Sequence, residues 1–89
     1  MLIGRVIGTV IATRKDEGLV GSKLLITQPM DFVGQDRDNP LIAVDTVGAG
    51  VGEVVIYVTG SVAPYAVKKS GVPVDAAIVG IVDKIDLNG

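Results

Sequence analysis

Two runs rich in β-branched residues, Leu41-Ile42-Ala43-Val44 and Val54-Val55-Ile56-Tyr57-Val58-Thr59, flank Gly48-Ala49-Gly50-Val51-Gly52, in which three of five positions are glycine. That pattern dictates strand, glycine turn, strand. Glycine enters the left-handed backbone region without steric penalty and lets a second backbone come close. Gly48, Gly50 and Gly52 therefore mark either a sharp connection or a surface against which something packs tightly.

Because the turn follows a strand, a phosphate cradle is the first chemistry to test. The dinucleotide fingerprint needs its third glycine three positions after the second, and then a helix whose N-terminus faces the pyrophosphate. Here the third glycine comes two positions on, and Glu53 leads straight into a strand-like run. No Gly-Lys-Ser/Thr completes a P-loop either. The pattern reads as a structural turn.

At 89 residues the chain makes one small domain, residues 1–89. Its residues are 48% hydrophobic, with a mean hydropathy of +0.54. A domain of this size buries only about 60% of the surface its unfolded chain exposes, so some apolar surface lies on the outside unless another chain covers it. Oligomerisation is the economical solution. A membrane is not, because the longest apolar run, Val54 to Val58, has five residues where a spanning helix needs about twenty. The N-terminal run from Met1 to Ala12 is interrupted by Arg5 and followed by Thr13-Arg14-Lys15-Asp16-Glu17, unlike a cleavable leader.

There is no cysteine and no histidine, so disulfides, thiolate ligands and the commonest general base and metal ligand are all missing. A net charge of −2 lacks the basic footprint of a nucleic-acid binder. The expectation is a cytoplasmic, non-enzymatic protein with no cofactor and no metal.

In chain order, residues 2–13 read as a first strand, with Gly4 and Gly8 allowing the coiling a barrel demands. On a period of two, Leu2, Val6, Val10 and Ala12 share one face; Ile3, Arg5, Ile7, Thr9, Ile11 and Thr13 share the other. Both faces carry aliphatics. Ile3, Ile7 and Ile11 are candidates for contact with a neighbouring subunit or for burial under another part of the same chain. Residues 14–21 read as an exposed hairpin connection, and Lys23 to Gln28 as the second strand. Met30 to Pro40 reads as a polar, mobile loop whose Asp36, Asp38 and Asn39 do not match a calcium loop. Gly60 to Gly71 reads as a short helix capped by Ser61, with Pro64 in its first turn, Lys68 and Lys69 at its end and Gly71 just past it. The last strand runs from Ala76 to Ile85, and the terminal residues to Gly89 are expected to fray. As a carboxylate pair for acid-base work, Asp45, Asp75 and Asp83 are not supported. The whole predicts an all-β fold, a small five-stranded OB-like β-barrel with one short helix, with a sandwich as the alternative.

Several stretches together, from Met1-Leu2-Ile3-Gly4-Arg5 through Val44-Asp45-Thr46-Val47-Gly48-Ala49-Gly50-Val51-Gly52-Glu53 to Pro73-Val74-Asp75-Ala76-Ala77-Ile78-Val79-Gly80, carry a resemblance over nearly the whole chain. The sequence resembles the bacterial microcompartment vertex proteins, the pentameric shell proteins of carboxysomes and of ethanolamine- and propanediol-type organelles. It departs at Gly60-Ser61-Val62-Ala63-Pro64, where that family often has Gly-Ser-Ser-Ala-Arg, and no ion pair of that arginine carries over.

The resemblance implies a homopentameric ring that caps the vertices of a shell within the cytoplasm, beside hexameric facet proteins. It places Gly48, Ala49, Gly50 and Gly52 at a close subunit contact, with Glu53 accepting hydrogen bonds from a neighbour. The alternative at that site is an intrachain turn with Glu53 solvated. Arg14, Lys15 and Asp16, with the Met30 to Pro40 loop, are the expected rim toward facet proteins. The competing function is an OB-fold single-stranded nucleic-acid-binding module, for which Phe32, Tyr57 and Tyr65 are the available stacking aromatics.

Overall fold

The computed structural model describes residues 1–13, 15–68 and 71–88. Five strands, β1 (Leu2–Val10), β2 (Leu24–Pro29), β3 (Leu41–Asp45), β4 (Val54–Thr59) and β5 (Ala76–Ile81), close into a barrel in the order β1-β2-β3-β5-β4. Neighbouring strands are antiparallel except β3 and β5, which run parallel through Val44↔Ala77 and Asp45↔Ile78. Closure leaves no free sheet edge. One helical turn, α1 (Ala63–Ala66), follows a 3-10 turn at Gly60–Val62 and bridges β4 to β5.

Alternate residues of each strand point into the barrel, and their contents explain its narrow bore. Val6, Leu25, Ala43, Ala49, Val55, Tyr57, Ala76 and Ile78 form the core. Tyr57 contributes the one aromatic ring of this cluster. Gly4 lets two strands approach closely: a Cβ there would lie 2.8 Å from the Gln28 carbonyl oxygen and 3.1 Å from the Tyr57 ring. A second cluster, Val44, Ala63, Val74 and Ala77 with Leu19 and Leu24 against it, packs α1 and the β1–β2 connection onto the barrel.

Several observed elements differ from the sequence reading, β2 (Leu24–Pro29, against Lys23 to Gln28) by one residue at each end. β1 ends at Val10, not Thr13, and its register shifts between Val6 and Gly8, leaving Ile7 without a cross-strand partner. That bulge breaks strict alternation beyond Val6; Leu2, ahead of it and paired with Tyr57, is half exposed at the start of the strand. β5 stops at Ile81 because its partner strand ends there: Val55 pairs with Ile81, and the Val82 amide donates to the Val54 carbonyl as the last link. Ser61 does not cap the helix but lies inside the 3-10 turn, and no side chain caps either helical segment of this connection. Lys68 itself takes the left-handed conformation (φ 57°) after the helix, ahead of Gly71 (φ 74°). Lys69 and Gly89 lie outside the described residues.

The loop from Met30 to Pro40 is a built structure held by its own side chains. Asp31 accepts the amides of Val33 (3.0 Å) and Gln35 (2.9 Å) and pairs with the Arg37 guanidinium at 3.0 Å. These hydrogen bonds, that from Gln35 first, hold the Asp31 carboxyl below its ordinary value. Arg5 on β1 pairs with Asp36 at 3.0 Å. The Gln28 amide donates to the carbonyls of Arg37 and Asp38. The carboxylates of Asp31 and Asp36 are engaged with arginines, and among the described residues no acidic cluster able to hold a metal is formed.

Candidate subunit-contact site at the glycine turn

Thr46 to Glu53 joins β3 to β4 across one end of the barrel and is fastened at both ends. At its start the Thr46 hydroxyl donates to the Ile78 carbonyl at 2.7 Å. At its end the Gly52 amide donates to the Val6 carbonyl (2.8 Å) and the Val6 amide to the Glu53 carbonyl (2.9 Å). Between these anchors the Ala49 methyl is fully buried in the core.

Asp45 shapes the interior of the turn. Its carboxylate accepts the amides of Val47 (3.1 Å) and Gly48 (3.0 Å), and both its oxygens accept the amide of Ala49 (3.2 and 3.1 Å). Lys23, across the β2–β3 pairing, donates to the Ala49 carbonyl and lies 3.7 Å from Asp45 Oδ2. Charge-assisted hydrogen bonds of this kind are the stronger class. The arrangement also gives the physical reason why the turn is not a phosphate cradle: the amides that would face an anion already hold one, the chain's own carboxylate.

The three glycines divide into two kinds. Gly48 (φ 83°) and Gly52 (φ 93°) occupy the left-handed region and are required by the turn itself. Gly50 does not, and a Cβ on it would meet only Glu53 Oε1, at an ordinary 3.5 Å. Glu53 bends back to accept the Gly50 amide at 2.7 Å through that oxygen, while the Gly50 carbonyl takes the Glu53 amide. Among the described residues Glu53 Oε2 has no partner, so the carboxylate keeps an acceptor on the exposed side. Val47 and Val51, both exposed, flank Gly50 with apolar surface.

Gly48, Gly50, Gly52 and Glu53 lie on one short turn whose Ala49 is turned into the core, and Ile7, 45% exposed, follows Val6, which is hydrogen-bonded to that turn. Ile3 lies farther down β1, paired with Ile56. Ile11 is beyond the strand and 90% exposed, so these three isoleucines do not make one patch with the turn. Lys15 and Asp16 are exposed on the β1–β2 connection, where the Asp16 carboxylate accepts the Gly18 amide and starts a 3-10 turn. Arg14 lies outside the described residues. Lys23 and Asp45 are the participants the sequence reading missed. An Asp two to four residues ahead of Gly-Ala-Gly is a turn-forming signal in its own right. Of the aromatics, Tyr57 is in the core, while Phe32 and Tyr65 are exposed on separate elements.

The fold is a small closed barrel that carries a hydrogen-bonded glycine turn flanked by exposed valines. Residues 1–83 match the family model described as "Ethanolamine utilisation protein EutN/carboxysome". The chain is 44% identical over 86 residues to the bacterial microcompartment shell vertex protein GrpN of Rhodospirillum rubrum, with 97% of each chain covered. It is 40% identical over 88 residues to the carboxysome shell vertex protein CcmL of Gloeobacter violaceus, covering 99% of this chain and 88% of that one. Among solved structures, an ethanolamine utilization protein EutN superposes with a TM-score of 0.93 at 37% identity, over 98% of this chain and 91% of that one. The Rhodospirillum rubrum GrpN structure, described as a pentameric microcompartment shell protein, gives 0.87 at 42% identity over the whole of both chains. The chain belongs to the EutN/CcmL family of bacterial microcompartment shell vertex proteins. Its kin are structural shell proteins and not enzymes, and the nucleic-acid reading finds no support among them.

Proposed function

We propose that this chain assembles into a homopentameric ring that closes the corners of a microcompartment shell, with hexameric proteins forming the facets around it. A sheet of hexagons is flat, and closing it requires pentagonal units at its corners. The observation that carries the reading is the end-to-end likeness to a shell protein described as pentameric.

Within the ring, the glycine turn is the subunit contact. Gly50 supports this: neither its backbone conformation nor the space inside the chain calls for glycine, so the missing side chain serves a neighbour. A cyclic ring joins two different patches of each subunit, so the turn meets a second surface and not its own copy. Glu53 Oε2 faces that neighbour as an acceptor. Ile3, Ile7 and Ile11 add apolar surface for neighbours to cover. The β1–β2 connection, with Lys15 and Asp16, and the loop over residues 30–40 form the rim toward facet proteins.

Co-production with a hexameric facet protein, followed by electron microscopy, tests the role. Closed polyhedra are expected with this chain and open sheets or tubes without it. Identical assemblies in both preparations would overturn the proposal.

A further inference from the structure

Among the described residues, a side chain with several hydrogen bonds has no part in the barrel core. The Asp45 carboxylate gathers three successive amides at 3.0 to 3.2 Å, has a side chain only 4% exposed, and is bracketed by Lys23 at 3.7 Å. Lys23 fixes the same turn a second time, through the Ala49 carbonyl. What these bonds hold in place is the backbone that presents Gly50, Val51 and Glu53 outward. The barrel itself closes through the pairing of β3 with β2 and β5, which does not pass through the Asp45 side chain.

We infer that Asp45 is a positioning residue for the subunit contact: its carboxylate fills, from within, an anion cradle made by the amides of the turn, and thereby sets the shape the neighbour meets. The inference rests on the ring reading above. Close packing over a glycine tolerates little displacement, since the gain from dispersion falls off within an ångström. A turn freed from Asp45 still connects β3 to β4 but no longer offers one fixed surface, and ordering it at each contact opposes assembly. Removing the carboxylate also leaves a vacated site of three amide donors beside an ammonium group, which a small free carboxylate of matching chemistry can occupy.

The test compares wild type, Asp45→Ala and Asp45→Asn by sedimentation velocity across a dilution series, in sodium chloride and in sodium formate at equal ionic strength. Far-UV circular dichroism follows the fold. For Asp45→Ala the expected result is a native spectrum, a midpoint concentration for ring formation raised about tenfold, and recovery in formate but not in chloride. Asp45→Asn, which keeps the size but turns an amide donor toward the amides of the turn, is expected to weaken the ring with no response to formate. An Asp45→Ala ring as stable as wild type, or weakened equally in both salts, overturns the inference. Should Asp45→Ala fail to fold, Asp45→Asn decides: weakened rings with a native spectrum support it, and wild-type rings overturn it. A wild-type chain that forms no ring overturns the ring reading and this inference together, whereas stable wild-type rings with indifferent variants sink the inference alone.

Discussion

The Glu53 carboxylate reaches back to accept the Gly50 amide at 2.7 Å, and Gly50 is the one glycine of its turn that does not use the left-handed conformation. The turn is thus complete within the chain, yet it withholds a side chain at a position where the chain has room for one. Substituting Gly50 by leucine is expected to leave the far-UV spectrum unchanged and to abolish the ring on size exclusion. Gly52→Ala places a side chain at φ 93° and is expected to cost about 1–2 kcal/mol in urea unfolding of the chain itself. Rings that survive Gly50→Leu would move the contact elsewhere.

Gly4 illustrates the opposite case, a glycine demanded from inside. A Cβ there falls 2.8 Å from the Gln28 carbonyl oxygen and 2.8 Å from Thr27 Cγ2, and backbone in a closed barrel has little room to yield. Gly4→Ala is expected to destabilise the fold by about 1–3 kcal/mol, the usual range for overpacking. Equal urea midpoints for the variant and wild type would contradict this.

Thr27 is fully buried, and among the described residues its hydroxyl has no hydrogen-bond partner. A buried unpaired hydroxyl costs free energy that a methyl group does not. Thr27→Val is therefore expected to be neutral or to stabilise by up to about 1 kcal/mol. A clear loss of stability would reveal a partner for the hydroxyl.

Burial first, and the Asp38 carboxylate second, push the Tyr57 phenol above its ordinary value. The folded chain then keeps a proton that the unfolded chain releases, so Tyr57's contribution is whole below about pH 10 and is lost as pH rises through the folded value. Urea midpoints followed upward from neutral pH are expected to fall on the alkaline side, and to fall less in Tyr57→Phe. Parallel alkaline limbs for the two proteins would show that Tyr57 does not contribute.

The barrel was legible because β-branched runs and glycine punctuation are local signals: the five strands in chain order, the short helix between the fourth and fifth, and the glycine turn all follow from them. What was not legible depends on pairing across the sheet. The bulge at Ile7 and the early ends of β1 and β5 follow from where partner strands stop, which periodicity in one strand does not report. The loop over residues 30–40 reads as polar and mobile because its aspartates look solvated in sequence; the Asp31–Arg37 pair forms within the loop, and the Arg5–Asp36 pair becomes evident only once β1 lies beside it. Asp45 has no acid-base role in the sequence reading, and its hold on Val47, Gly48 and Ala49 is a role for a carboxylate that needs no reaction.

Native mass spectrometry of the purified chain addresses the central claim most directly. The expected spectrum is dominated by a species of five chains that persists on dilution. A single-chain mass at every concentration, or a ring of six, would contradict a pentameric vertex unit.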